Sequence, residues 1–78
     1  MREIVIDFSD YPDMAAFHDD ITEKLALPAY YGRNLDALND CMREIPPGSC
    51  HFTIHYGEGG IPQKKQETIA RILQGERR

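Results

Sequence analysis

Two aspartates one helical turn apart carry the most unusual chemistry in this sequence. Asp36 and Asp40 stand at i and i+4 in a segment with a helical apolar repeat, so both are expected on the exposed face of one helix. Like charges at this spacing repel, and aspartate is a mediocre helix former outside the first turn. Carboxylates held outward on a helix can accept charge-assisted hydrogen bonds from a cationic partner. A solvated ion pair between Asp40 and Arg43 is the alternative that the spacing leaves open.

The histidines and cysteines form no catalytic or metal-binding pattern. His51 and His55 share one face of a predicted strand but lie about 13 Å apart, too far to act as a pair. His18 follows the first helix's apolar start beside two aspartates and is expected to be solvated. Cys41 and Cys50 have neither CxxC nor metal-ligand spacing and are expected as reduced thiols. We therefore predict a protein that is not an enzyme and has no metal or cofactor, with a nuclease using His51 or His55 as a minor alternative.

Length and charge limit what the chain can do. Its 78 residues allow one domain, residues 1–78, with a small core and little room for a deep pocket. The net charge is −4, and residues 1–60 hold 11 acidic against 4 basic side chains. Such an acidic body disfavours direct nucleic-acid binding and fits a cationic partner. Neither an apolar run long enough to span a membrane nor a signal-peptide pattern is seen, so we expect a cytoplasmic protein without a membrane partner.

The elements that position the two aspartates follow from apolar periodicity and capping residues. Strands are predicted at 3–8 and 51–56, the latter with Phe52, Ile54 and Tyr56 on its buried face. The first helix begins after Asp13 and ends near residue 26, and the second, capped by Asn34, runs from residue 35 to about 45. A third helix follows Pro62 and ends before Gly75. This order predicts an α/β, two-layer fold with a small parallel sheet and helices on one face.

Residues 25–40, read LALPAYYGRNLDALND, closely resemble the barstar family. The similarity holds at every position of this segment except Ala29, Arg33 and Asn39, and the order of elements extends it over nearly the whole chain. Family members inhibit a small extracellular ribonuclease and protect the cell that produces it. The resemblance therefore implies a barstar-like fold and a basic, secreted ribonuclease as the protein partner. The family's third strand would follow the last helix and is apparently missing here.

The resemblance also implies roles for individual residues. Asp40 matches the aspartate that enters the enzyme's phosphate-binding site, and Asp36 matches a second acidic contact. Tyr30 matches an aromatic contact beside a catalytic histidine of the enzyme. Asn39 stands beside Asp40 where the family has a tryptophan, and Arg33 replaces a glutamate. The other implied partner contacts are Tyr31, Gly32, Asn34 and Leu35, with a positive φ expected at Gly32.

Three functional hypotheses follow. The first is a protein inhibitor of a basic ribonuclease whose acidic helix residues occupy the phosphate-binding site. The second is a barstar-like interaction module with a non-nuclease partner, suggested by Asn39, Arg33 and the missing strand. The third is the minor enzyme alternative given above. Two parallel strands would also leave open edges, so we expect marginal stability, or an edge covered by a partner or a second copy.

Overall fold

The computed structural model describes residues 2–46 and 48–74. The helices and strands follow one another in the predicted order, and a 3-10 turn, Phe8–Asp10, directly follows the first strand. The elements are β1 (Arg2–Asp7), α1 (Met14–Leu25), α2 (Leu35–Glu44), β2 (Cys50–His55) and α3 (Gln63–Leu73). Gly75, expected just beyond the third helix, lies outside the described residues. In the described parts of the chain, no helix is both long enough and apolar enough to cross a membrane.

The strands β1 and β2 pair in parallel, as predicted. Ile4 lies opposite Phe52 and Ile6 opposite Ile54, which directs the apolar side chains of both strands toward the helices. Val5, on the opposite face, is 52% exposed. The sheet is therefore covered by helices on one side only, which confirms the two-layer α/β fold, and within the described residues it has two strands.

One hydrophobic core joins the sheet to all three helices. Each element contributes the side chains that its periodicity predicts, because a stripe at helical spacing can face the sheet only along one line. The fully buried side chains at its centre are Ile6, Phe8, Phe17, Ile21, Leu38, Met42, Ile69 and Leu73. The core thus fixes which face of α2 points inward and, by exclusion, which face meets solvent.

The helix ends are set by local hydrogen bonds. The Asp13 carboxylate accepts from the amide of Ala16 at 2.9 Å and caps α1, as predicted. At the other end Ala26 adopts a left-handed conformation with φ of 51°, and the amide of Leu27 donates back to the carbonyl of Thr22. This backbone reversal turns the chain out of α1 and begins the loop that leads to α2.

The connection after β2 is held by a buried glutamine. Gln66 of α3 bonds both backbone groups of Gly57 and the carbonyl of Ile61. Tyr56, expected on the buried face of a strand ending at residue 56, is instead 52% exposed, so that part of the prediction is wrong. The strand ends at His55, and the tyrosine ring stacks against Phe8 at 6.1 Å from beyond the sheet.

Candidate partner-binding site

The start of α2 is fixed by Asn34, which the sequence predicts as its cap. The Asn34 side chain accepts a hydrogen bond from the amide of Ala37 at 2.7 Å and donates to the carbonyl of Gly32. A Cβ atom at Gly32 would lie 3.3 Å from the Cβ of Ala37, tighter than an ordinary contact. The loop is therefore packed closely against the first turn of α2, and Asn34 acts as a structural cap at the edge of the site.

The left-handed residue of this loop is Arg33 rather than Gly32. The expected positive φ at Gly32 is wrong, because Arg33 takes it with φ of 54°. The Arg33 guanidinium donates to Asp19 at 2.6 Å and to the carbonyl of Ala15, both on α1. These two contacts favour a conformation that an arginine otherwise adopts at some cost. Arg33 thus ties the loop to α1.

The outer face of α2 is an acidic stripe, defined here as Asp36, Asp40 and Glu44. All three are exposed and follow one another at i, i+4 and i+8. Among the residues that the structure describes, the ion pairs are Lys24–Asp20 and Arg33–Asp19, so none of the stripe carboxylates is paired and the alternative Asp40–Arg43 bridge is not formed. The stripe therefore presents its oxygen atoms to solvent, ready to accept hydrogen bonds.

A shallow groove of about 170 Å³, the tyrosine groove, runs beside the stripe. Tyr30 is 82% exposed, whereas Tyr31 is 8% exposed and turns inward. Burial is the main reason why the pKa of Tyr31 is raised to about 12. The lining residues of the groove are Tyr30, Tyr31, Gly32, Ala37, Asp40, Cys41 and Glu44. The structure thus brings four of the predicted contact residues, Tyr30, Tyr31, Gly32 and Asp40, into one surface.

Three residues of the groove, Ala37, Cys41 and Glu44, were not among the predicted contacts. Glu44 continues the i+4 spacing of Asp36 and Asp40, and this spacing is the signal that could have identified it. Cys41 is a half-buried free thiol, and its pKa is raised by burial and then by Glu44 and Asp40. A raised pKa keeps the thiol protonated near neutral pH, so Cys41 contributes contact area rather than a reactive nucleophile.

A second groove lies between α2 and α3, and the other predicted contact residues of α2 line it. These residues are Leu35, Asp36 and Asn39, and Leu35 also packs against the core with part of its side chain. The side-chain oxygen of Asn39 is buried without a hydrogen-bond partner among the described residues. An unpaired buried acceptor is costly, so Asn39 is held at some cost to the stability of the free chain. Thr68 and Ile72 of α3 complete this second groove.

His18 is a functional candidate that the sequence reasoning misjudged. It was expected to be solvated, but it is 4% exposed, so that expectation is wrong. Its Nδ1 atom lies 2.8 Å from the hydroxyl oxygen of Tyr31. Burial is the largest cause that lowers the pKa of His18, followed by the charge of Arg33. The signal was available, since His18 lies four residues after Met14 and three before Ile21, on the buried stripe of α1.

Chemically, the described side chains of the site are suited to binding. No group of three or more histidine, cysteine or acidic side chains that could hold a metal ion occurs in the described ranges 2–46 and 48–74. A rigid helix with unpaired carboxylates, flanked by an exposed tyrosine, is the geometry of a protein module that recognises a cationic partner surface.

Comparison with known proteins specifies this class further. The family model described as Barstar (barnase inhibitor) matches residues 1–74, so the chain belongs to the barstar family. A protein of Bacillus subtilis (strain 168) named "Putative ribonuclease inhibitor YrdF" is 55% identical over 42 residues. That match covers 54% of this chain and 46% of the relative, less than half of its length. No solved structure matches the chain significantly.

Proposed function

We propose that this chain inhibits a ribonuclease by binding it, with Asp40 in the enzyme's phosphate-binding site. The observation that carries the proposal is the stripe of exposed, unpaired carboxylates on α2. Membership of the barstar family and the name of the Bacillus subtilis relative support it. The partner we envisage is a basic, secreted enzyme, and the inhibitor acts in the cytoplasm of the producing cell without catalysing a reaction itself.

The physical reason lies in what a ribonuclease must bind. Its substrate is a polyanion whose charge grows as phosphate chemistry proceeds, so its cleft presents lysine, arginine and histidine donors. A carboxylate that enters the cleft takes the hydrogen bonds meant for phosphate. Because Asp36 and Asp40 stand on a helix that the core already holds, little conformational entropy remains to be lost on binding. Tyr30 adds an exposed aromatic surface beside them.

The test is an inhibition assay with barnase, the enzyme that the family description specifies, and with other small basic ribonucleases. Cleavage of a fluorescent RNA is measured as the chain is titrated into the enzyme, and we expect a linear loss of activity that ends near one inhibitor per enzyme. Asp40→Ala should abolish this stoichiometric end point. Glu23→Ala is the matched control, because it removes the same charge from an exposed position of α1 on a different surface.

Two results would overturn the proposal. One is an Asp40→Ala variant that inhibits as well as the wild-type chain. The other is a chain that inhibits none of the ribonucleases while a pull-down recovers a partner without nuclease activity. The second result would favour the non-nuclease module, for which Arg33 and Asn39 are the relevant residues because they differ from the family's pattern at the rim and centre of the surface.

The open edge of the sheet is a separate proposal. The amide of Arg2 donates to the carbonyl of Ser49, so the backbone groups of Ser49 point toward β1. Because alternate residues of a strand direct their backbone N–H and C=O groups to opposite sides, those of Cys50, Phe52 and Ile54 point away from β1. The edge of β1 is partly covered, since Lys24 donates to the carbonyl of Val5 at 2.8 Å. We therefore propose the β2 edge as the place where a second copy pairs. Sedimentation velocity over a concentration series tests this, and a monomer at every concentration would contradict it.

A further inference from the structure

One buried hydrogen bond joins α1 to the loop that carries the exposed tyrosine. The Nδ1 atom of His18 and the hydroxyl oxygen of Tyr31 lie 2.8 Å apart, and their rings are 5.7 Å apart. Both side chains are buried, at 4% and 8% exposure. Its chain neighbour Tyr30 is 82% exposed. Because the two residues are adjacent in the loop, a shift of the backbone at Tyr31 would also move Tyr30.

We infer that His18 is a positioning residue of the partner-binding surface, which accepts the Tyr31 hydrogen bond when neutral and releases the loop when protonated. Partner affinity should therefore fall as the solution is acidified. This inference rests on the proposed function for its effect on binding. Its conformational part concerns the free chain alone and can be tested without any partner.

Protonation would change both the hydrogen bond and the local charge. A neutral His18 can accept the hydroxyl proton of Tyr31 at Nδ1, whereas a protonated ring has donors on both nitrogens. The hydroxyl proton would then have lost its buried acceptor, which costs free energy. A hydrogen bond in the opposite direction, from the ring to the tyrosine oxygen, would leave that cost in place.

The charged groups around His18 disfavour a further positive charge on its ring. Arg33 from the loop and Lys65 from α3 line the same surface groove as His18. Asp19, the next residue on α1, is the acidic neighbour, and its carboxylate already pairs with Arg33 at 2.6 Å. The thiol of Cys41, on α2, faces Tyr31 and is uncharged near neutral pH. Two cations against one occupied carboxylate disfavour imidazolium at this position.

The sign of the pH effect follows from this environment. The pKa of His18 is lowered from 6.5 in the closed structure, by burial first and by Arg33 second. An open loop restores the ordinary value, so the open state binds more protons in the interval between the two pKa values. Loop closure is therefore strongest above about pH 6.5 and weakens as pH falls through the interval below it.

The free chain is tested first, by NMR at pH 5.0 to 8.0. The His18 ring resonances should titrate below 6.5, and the protection factors of the amides in residues 29–34, with the intrinsic pH dependence of exchange divided out, should fall as the ring is protonated. The amides of β1, away from the loop, serve as the internal reference and should keep their protection factors. A His18 that titrates without any change in the protection factors of the loop amides would overturn the inference, whatever the chain binds.

Binding is then measured with barnase for the wild type, His18→Asn and Tyr31→Phe. Asparagine places an amide oxygen near the position of Nδ1 but does not titrate, so H18N should keep the bond and lose the pH response. Tyr31→Phe should weaken binding about two- to tenfold at pH 7.5, the effect of one net hydrogen bond. The ratio of wild-type to H18N affinity should fall as pH drops from 7.5 to 5.5.

These outcomes separate the inference from the proposed function. Using one enzyme for all variants cancels from the ratio the pH effects that the wild type and the variant share. A ratio that is constant with pH would overturn the positioning role while inhibition stands. If no ribonuclease is inhibited at pH 7.5, the proposed function fails, and the NMR result alone decides whether His18 holds the loop.

Discussion

Replacing Asp40 with alanine should stabilise the free chain while it destroys the binding surface. Asp40 stands in mid-helix between Asp36 and Glu44, each one turn away and equally charged. Alanine is the better helix former by roughly 0.6 kcal/mol. Relief of two like-charge contacts adds about 0.2–0.5 kcal/mol each. The free energy of unfolding should therefore rise by about 1.0–1.6 kcal/mol, and the Tm by about 4–8 °C for each kcal/mol gained.

Urea unfolding followed by far-UV circular dichroism measures this gain in the free energy of unfolding. Two further variants separate the contribution of helix propensity from that of charge repulsion. Asp40→Asn removes the charge but keeps a poor helix former, so it should gain only about half as much. Asp36→Ala should gain little, because Asp36 lies in the first turn, where the helix dipole favours a negative charge. A destabilised Asp40→Ala would show that the carboxylate has a structural role within the chain, which would refute the reasoning.

Four further predictions test the structure and the proposed recognition. Gly60→Ala should cost more than about 3 kcal/mol and unfold most of the population, because its Cβ would lie 1.4 Å from the Pro12 carbonyl oxygen. Gly48→Ala should cost only about 1–2 kcal/mol in the same urea assay, since its φ of 82° is strained for alanine but the space around it is open. In a spectrophotometric titration, Tyr31 should ionise near pH 12, above the pH at which a tyrosine ionises in an unfolded chain. An ordinary pKa near 10 would contradict its burial. Stopped-flow association with barnase should slow as NaCl rises, whereas a rate independent of salt would exclude charge complementarity as the basis of recognition.

The parts of the fold that could be predicted are those fixed by local rules. Asp13 and Asn34 cap their helices as expected, because a short polar side chain can reach the free amide three residues ahead without help from the rest of the chain. The parallel pairing of the strands followed from their alternation and from the intervening helices. The exposed face of α2 followed in the same way, since Leu38 and Met42 had to be buried.

The parts that could not be predicted depend on contacts between distant segments. The positive φ moved from Gly32 to Arg33 because Asp19 and Ala15, on α1, hold the guanidinium. The spacing of His18 from Met14 and Ile21 could have placed it on the buried stripe of α1, but its hydrogen-bonding partner could not be predicted, because Tyr31 lies 13 residues further along the chain. Periodicity places a residue on a face of a helix, but it does not say which polar group another segment will bring to that face.

The acidic stripe and the buried His18 both bear on the affinity of this chain for a cationic partner. A helix that carries Asp36, Asp40 and Glu44 with no cation paired to them in ranges 2–46 and 48–74 is locally unfavourable, and a positively charged partner would turn that repulsion into attraction. Such a helix needs a loop of fixed shape beside it, because every residue that must be ordered on binding reduces the affinity gained. The buried bond between His18 and Tyr31 would supply that order before the partner arrives. We therefore expect recognition to depend on the neutral imidazole of His18 in the interior as well as on the carboxylates at the surface.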